Sequence, residues 1–463
     1  MVGEAEGEGQ EILYIRRTRI VASHHHDPKM LHDISIKSGR LCGITEHTES
    51  TDTQGLNEPV AIDADCHLVT PSLCHAHVHL DKAFLTSDPK YADLRLEKGG
   101  FAEAMEIGSK AKKRFEMGDL LRRGKWALDR LIAESVAAGV THMRAFIEID
   151  CTVGFKCLDA AITLKREFAN CCRIQICAFA QDPIFSGPSA EDNRRLFGTA
   201  CSNEEVEAIG STPYVEDSDF HSKENLEWTA KLAQRLNKHL DFHLDYNIDI
   251  DKPVMARHVI ELAIELDWRT SKTDKTIVLG HCTRLTLFSR EEWQVLSHTI
   301  QRNDLPIYFL GLPTSDLFIQ GKPPHGLGGG ERPRGTLQIP QMIQQYGLKG
   351  AISINNVGNA FTPQGTCDPL ALASLGVGVY QAGTVADVQC LFECVSSRAT
   401  EAIGFDSEIG FRVGGRADLI IYQSKGGSDD RLSKQRRRLG LEDLVYDPPK
   451  DRQVIFEGRV VDI

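Results

Sequence analysis

Runs of β-branched and aromatic residues alternate with amphipathic segments along most of this chain. Eight candidate strands occupy residues 68–80, 140–149, 173–180, 208–215, 240–246, 276–280, 306–310 and 349–354. Stretches with helical periodicity lie between them, for example at 226–236, 255–266 and 386–403. In 255–266 the apolar residues Val259, Leu262, Ala263 and Leu266 follow the i, i+3, i+4, i+7 spacing of one helical face. From the second strand on, strand starts recur every ~30–45 residues, the repeat of a βα unit. Eight such units in about 335 residues predict an α/β fold, a (β/α)8 TIM-like barrel with insertions. The longer first gap holds a charged stretch, 87–123, predicted as a loop and helix over the barrel mouth. A doubly wound open sheet is the alternative. It wants a Gly-rich phosphate turn after its first strand, where this chain has Cys74-His75-Ala76-His77.

The two ends read differently. Short β-patterned pieces at 11–21, 33–44 and 60–62 are matched by others at 417–422 and 453–461. Together they predict a small composite β-sandwich domain from residues 1–68 and 406–463, flanking a barrel at 69–405. Within the tail, residues 426–438 carry the basic run Lys434-Gln435-Arg436-Arg437-Arg438, read as a solvated loop rather than a nuclear-localisation signal. His24-His25-His26 is read as surface.

Composition narrows the function classes. The chain has 463 residues, 53 Lys+Arg against 65 Asp+Glu and a net charge of −12, with 41% hydrophobic and 25% charged residues. That is an ordinary globular balance, and an acidic one, so no nucleic-acid or anionic-membrane partner is expected. No run of 18 apolar residues offers a membrane span. The start, MVGEAEGEGQ, lacks the basic and apolar regions of a signal peptide, and Val2 excludes myristoylation. Thirteen scattered cysteines, an odd count, read as reduced structural thiols of a cytoplasmic protein. The expected partner is a small-molecule substrate; a homo-oligomer is compatible with the sequence.

Candidate chemistry collects at predicted strand ends. The first strand closes on His77-Val78-His79-Leu80-Asp81-Lys82. Residues two apart on a strand face the same way, roughly 6.5 Å apart, so two imidazoles can converge on one metal ion. Imidazole suits Zn2+ or Fe2+, and a catalytic site has about three protein ligands and an open position. One HxH among 17 histidines is weak. Recurrence strengthens it: His243-Leu244-Asp245 ends the fifth strand, His281 follows the sixth, Gln181 follows the third and Asn355-Asn356 follow the eighth. Histidines at the ends of strands 1, 5 and 6 of one barrel meet above its axis. The glycine run at 326–330 lacks the Lys-Ser/Thr of a P-loop and reads as a loop over the mouth, with Arg332 and Arg334 near it as candidate substrate contacts. Asp316, past the seventh strand, reads as a solvated loop carboxylate before a substrate contact.

The order HxHxD, HxD, a later His and a polar residue on strand 8 resembles the amidohydrolase superfamily, nearest its cytosine deaminase branch with the N-isopropylammelide hydrolase type. The likeness runs from about residue 11 to the end. It is carried by His77–Lys82, AFAQDPIFS at 178–186, His243–Asp245, VLGHCT at 278–283, FIQGKP and ERPRGT at 318–336, NVGNAFTPQG at 356–365 and VGGRADLIIY at 413–422. The resemblance implies a C–N hydrolase with metal ligands at His77, His79 and His243. It implies that His281 polarises the attacked group or shuttles protons, that Gln181 binds the ring amide and that Lys82 orients substrate or water; Asn356 is a further candidate contact. The fourth strand ends without a lysine, so a carbamylated, two-metal bridge is absent and one ion is expected.

Two positions depart from the pattern. Tyr246 stands where cytosine deaminases have a proton-shuttling Glu, and a phenol of pKa near 10 cannot replace it at neutral pH. Asn355 stands where the family has a metal-binding, proton-accepting Asp. An amide oxygen can ligate but adds no charge and takes no proton. Candidates for the missing base are His281, Asp245 and Asp81. Three readings stay open: a hydrolase impaired at Asn355, a barrel turned to other Lewis-acid chemistry such as a lyase or isomerase step, or a catalytically silent binding or scaffold protein.

Overall fold

The computed structural model describes residues 13–23, 25–48, 61–125, 131–321, 335–405, 409–423 and 438–462, so Arg332, Arg334, the glycine run at 326–330 and residues 426–437 of the basic tail loop lie outside the described residues. Five strands precede the barrel: β1 (Leu13–Ile20), β2 (His32–Lys37), β3 (Arg40–Glu46), β4 (Ala61–Asp63) and β5 (Leu68–Pro71). Eight parallel strands follow in sequence and spatial order. They are β6 (Leu73–His79), β7 (Val140–Glu148), β8 (Arg173–Ala180), β9 (Val206–Ser211), β10 (His239–Leu244), β11 (Ile277–His281), β12 (Ile307–Gly311) and β13 (Lys349–Ile352). The tail adds β14 (Leu419–Ile421), β15 (Gln453–Phe456) and β16 (Arg459–Val460).

The barrel strands are buried on both faces, as parallel strands wrapped by helices must be; all nine residues of β7 are buried. In the helix Met255–Glu265, Val259, Leu262 and Ala263 face the core as their spacing predicts. The periodic stretch at 386–403 is two helices, Val385–Cys394 and Ser397–Ala402, because the backbone leaves helical geometry at Ser396. The ring closes beyond β13: Val78 bridges Asn355, the His79 N–H donates to the Asn355 carbonyl at 2.8 Å, and the Asn355 N–H donates to the His77 carbonyl at 3.1 Å. The closing seam therefore runs through the residues of interest and locks their backbones together.

The small sheet runs β16-β15-β14-β5-β1-β2-β3, with β4 beside β1. Strands from the two termini meet where β14 lies antiparallel to β5. β1 changes register between Ile15 and Thr18, where Arg17 takes a positive φ; it pairs with β2 on both sides of the shift, its start also pairs with β4 and its end with β5. The two halves enclose a separate core of Ile15, Ile34, Val69, Leu419 and Ile455. One sequence expectation changes here. The run 68–80 is two strands, because the chain leaves the small sheet at Ser72, whose N–H bonds Asp418, and enters the barrel at Leu73, whose N–H bonds Gly139. Proline at 71 supplies no N–H to continue the first ladder, and the residues on both sides of the junction are buried alike.

Candidate active site

The C-terminal ends of the barrel strands bring His77, His79 and His243 together. His77 and His79 lie two apart on β6 and His243 near the end of β10, so period-two geometry aims all three inward. His243 Nε2 lies 2.9 Å from His77 Nε2 and 3.1 Å from His79 Nε2. Burial holds all three rings well below the ordinary histidine value, aided by the Lys82 charge. They are therefore neutral, the form that ligates a metal. Neutral imidazoles cannot satisfy one another through three converging Nε2 atoms, and among the described residues each Nδ1 is buried without a hydrogen-bond partner, as is Asn355 Oδ1; the nearest carboxylate, Asp241 Oδ1, lies 4.0 Å from His77 Nδ1. Three inward nitrogens and a nearby orphan amide oxygen fit a single divalent ion, whose bonds to imidazole are about 2.0–2.1 Å.

Asn355 and His281 take left-handed backbone conformations, with φ of 60° and 66°. Such strain in non-glycine residues persists where surroundings over-determine it. The Asn355 amide donates to Ser315 Oγ at 2.8 Å. His281 Nδ1 lies 2.8 Å from Asp316 Oδ1, whose other oxygen accepts from Thr336 at 2.6 Å. Asp316 is thus no solvated loop residue. It is fully buried in the helix Pro313–Ile319, which follows β12 directly and folds its first turn under the His281 ring. Burial raises its carboxyl, against the pull of His281 and Thr336. Tyr246 covers His281 with ring centroids 3.9 Å apart, an aromatic wall where a shuttle was absent from the sequence.

Asp245 is turned to other work. Its two oxygens accept the Met255 and Ala256 N–H groups of the next helix, at 2.8 and 2.9 Å, and burial pushes it up to about 6. Asp81 accepts the Glu148 N–H at 2.7 Å. Asn356 accepts from Asn359, which also donates to the Lys82 carbonyl, so Asn356 shapes the loop beside Lys82. Lys82 itself donates to Gln181 Oε1 at 3.0 Å, pairs with Glu148 and lies 5.2 Å from the centre of the Phe361 ring.

A model of the amidohydrolase family matches residues 68–461. The chain belongs to the amidohydrolase family. This amidohydrolase is a hydrolase of C–N bonds other than peptide bonds, of a metal-dependent family, and its three imidazoles are a group that could hold the ion. It is 23% identical over 436 residues to the N-isopropylammelide isopropyl amidohydrolase of Pseudomonas sp. (strain ADP), covering 93% of each chain. Its fold matches 5-methylcytosine deaminase from Klebsiella pneumoniae with a TM-score of 0.79, 19% identity and 97% of both chains. It also matches guanine deaminase from C. acetobutylicum with a TM-score of 0.63, 13% identity, and 98% of this chain and 100% of that one.

The amidohydrolase site contains residues that the sequence reading passed over. Glu148 and Lys112 are buried beside Lys82, and Ser315 holds Asn355. Glu148 ends β7, so the rule that singled out His243 applied equally to it. Lys112 carried no such signal: it ends a helix in a charged segment, and only the fold brings it to the ends of β7 and β8, against Glu148, Asp150 and Asp182.

Proposed function

We propose that this amidohydrolase uses water to break a C–N bond at a trigonal carbon of a cyclic amide, amidine or amino-substituted heterocycle. The carrying observation is the convergence of three neutral imidazoles at the barrel mouth beside the His281–Asp316 pair. The names of its relatives, which specify N-isopropylammelide, 5-methylcytosine and guanine, support a flat nitrogen heterocycle as the small-molecule substrate. Family membership favours this reading over a lyase or isomerase step and over a silent scaffold. All thirteen cysteines are free thiols, which supports a cytoplasmic setting.

One Zn2+ or Fe2+ ion would be held by His77, His79 and His243, with Asn355 Oδ1 as a neutral fourth donor. When bound, it supplies Lewis acidity and makes water nucleophilic near neutral pH. His281 donates its Nδ1 hydrogen to Asp316, which leaves Nε2 able to take a proton from the attacking water and return it to the departing nitrogen. Asn355 cannot do this, both oxygens of Asp245 accept backbone N–H groups, and Asp81 Oδ2 accepts the Glu148 N–H. His281 is therefore the general base. Gln181 and Lys82 hold the ring, and Tyr246 excludes water from one side of His281.

Elemental analysis of the purified chain should find about one divalent ion per molecule, lost in His77→Ala while the fold is kept. A screen of amino-heterocycles, cyclic amides and cyclic amidines should release ammonia, an amine or a ring-opened acid. A chain that binds no metal and hydrolyses none of these classes sinks the reading.

A further inference from the structure

The helix Phe101–Lys112 crosses the barrel mouth and ends on Lys112, whose ammonium is buried among carboxylates. It lies 2.7 Å from Asp150, 2.9 Å from Asp182 and 3.2 Å from Glu148. The other Glu148 oxygen takes Lys82, so one carboxylate bridges two lysines, and Lys82, Glu148 and Lys112 are all more than nine-tenths buried. An ammonium only donates, and it has three hydrogens. At Lys82 one goes to Glu148 and one to Gln181. Because Lys82 cannot accept, the Gln181 atom facing it is the oxygen, which fixes the amide orientation. The Gln181 NH2 then meets, among the described residues, only the Met105 sulfur at 3.9 Å, a weak acceptor.

We propose that Lys112 and Glu148 are positioning residues that hold Lys82 and Gln181 as a fixed pair of hydrogen-bond donors. That pair selects a flat ring presenting two neighbouring acceptors, a carbonyl oxygen beside an unprotonated ring nitrogen. The inference rests on the heterocycle-hydrolase reading and names the ring edge that the site recognises. A ring with N–H next to its carbonyl would aim a donor at buried donors and lose affinity. Aromatic walls suit a flat ligand: the Phe101 ring lies 5.7 Å from Tyr246 and 6.2 Å from Phe361. Lys112 acts through Glu148, which in turn sets the Lys82 ammonium.

Calorimetric binding of 1-methylpyrimidin-2-one and 1-methyluracil to the full chain tests this. Both carry the same ring and methyl group. The first offers a bare nitrogen beside its carbonyl, the second an N–H, and neither has an amino group to lose. The first should bind at least about tenfold tighter. Glu148→Gln and Lys112→Gln should shrink that ratio below about threefold, whereas Lys112→Arg keeps it. Equal affinities in the native chain, binding of neither ligand, or an unchanged ratio in Glu148→Gln overturns the proposal. Turnover of amino-heterocycles is followed in parallel. Hydrolysis without ligand preference removes the donor pair and leaves the hydrolase reading; preference without hydrolysis does the reverse.

Discussion

Asn355 and an aspartate differ by one NH2 group against one oxygen, yet the electrostatic consequence is a full charge beside three neutral imidazoles. Its Nδ2 donates to Ser315 Oγ, and that hydroxyl is 2.6 Å from Thr362 Oγ1 with either able to donate. An Asp at 355 could therefore accept from Ser315 by rotation of one hydroxyl. Asn355→Asp should raise metal affinity at least ~tenfold in chelator competition, and kcat by roughly 10²-fold, because it adds both a charged ligand and a proton acceptor. Unchanged affinity and rate would place Asn355 outside the coordination sphere. Asp316 is a positioning residue for His281. Asp316→Asn keeps the shape but weakens the hold on the Nδ1–H tautomer, so kcat should fall roughly 10–100-fold with little change in KM or metal content. A loss of metal instead would show that Asp316 serves the fold of the site rather than the His281 proton. The convergence of His77, His79 and His243 was legible because strand periodicity alone sets their direction. Asp316 was not, since nothing local reveals that a seven-residue helix tucks it beneath a ring on the neighbouring strand.

Elements meet closely at the barrel floor, where the helix Ser397–Ala402 packs against β6 and β13 and its chain then turns at Gly404. Gly404 has φ of +77°, and a Cβ there would lie 2.0 Å from His239 Cε1 and under 3 Å from both ring nitrogens. The imidazole cannot yield, because its Nδ1 accepts the Thr276 N–H at 2.9 Å and the ring is rigid. Gly404→Ala combines left-handed strain with overpacking, and should cost roughly 2–4 kcal/mol in urea unfolding. A loss under about 1 kcal/mol would mean that the helix end shifts freely. This contact also marks the limit of what pattern can reveal. Strand and helix order followed from pattern, since each helix buries one predictable face and each doubly buried barrel strand reads as a short β-branched and aromatic run. The split at Ser72, the break at Ser396 and the charged cluster under the helix Phe101–Lys112 arise where two elements compete for the same space. Each depends on partners more than 20 residues away, such as Gly139 for Leu73 and Glu148 for Lys112.

Across the whole molecule the two ends of the barrel divide chemistry from stability, as the fold class leads one to expect. The mouth holds the histidines that face one another. Beneath them lies the Arg144–Asp241 pair at 2.7 Å, with Asp241 Oδ1 4.0 Å from His77 Nδ1, and the floor holds His142, whose ring meets Phe405 with centroids 5.0 Å apart. His142 is fully buried, its Nε2 without a hydrogen-bond partner among the described residues, and burial, with Arg173 and Arg416 adding to it, pushes its value from 6.5 down to about 3. Between those values the unfolded chain binds a proton that the folded chain refuses, so this histidine lowers stability as pH falls below 6.5. Asp241 works in the opposite sense: burial raises it to about 7, so the folded chain keeps a proton that the unfolded one releases, and stability is lost as pH rises toward that value. The absolute pH curve sums such opposed terms, but a comparison with His142→Gln isolates one. Relative to native, the variant should gain about 2 kcal/mol between pH 6 and pH 4.5, read from urea midpoints at fixed ionic strength. A stability difference that stays flat across that window would mean that the ring is hydrated or already charged in the folded floor. The same titration leaves hydrolysis untouched at pH 7, because there His142 is neutral in the folded chain and lies at the opposite end of β7 from Glu148.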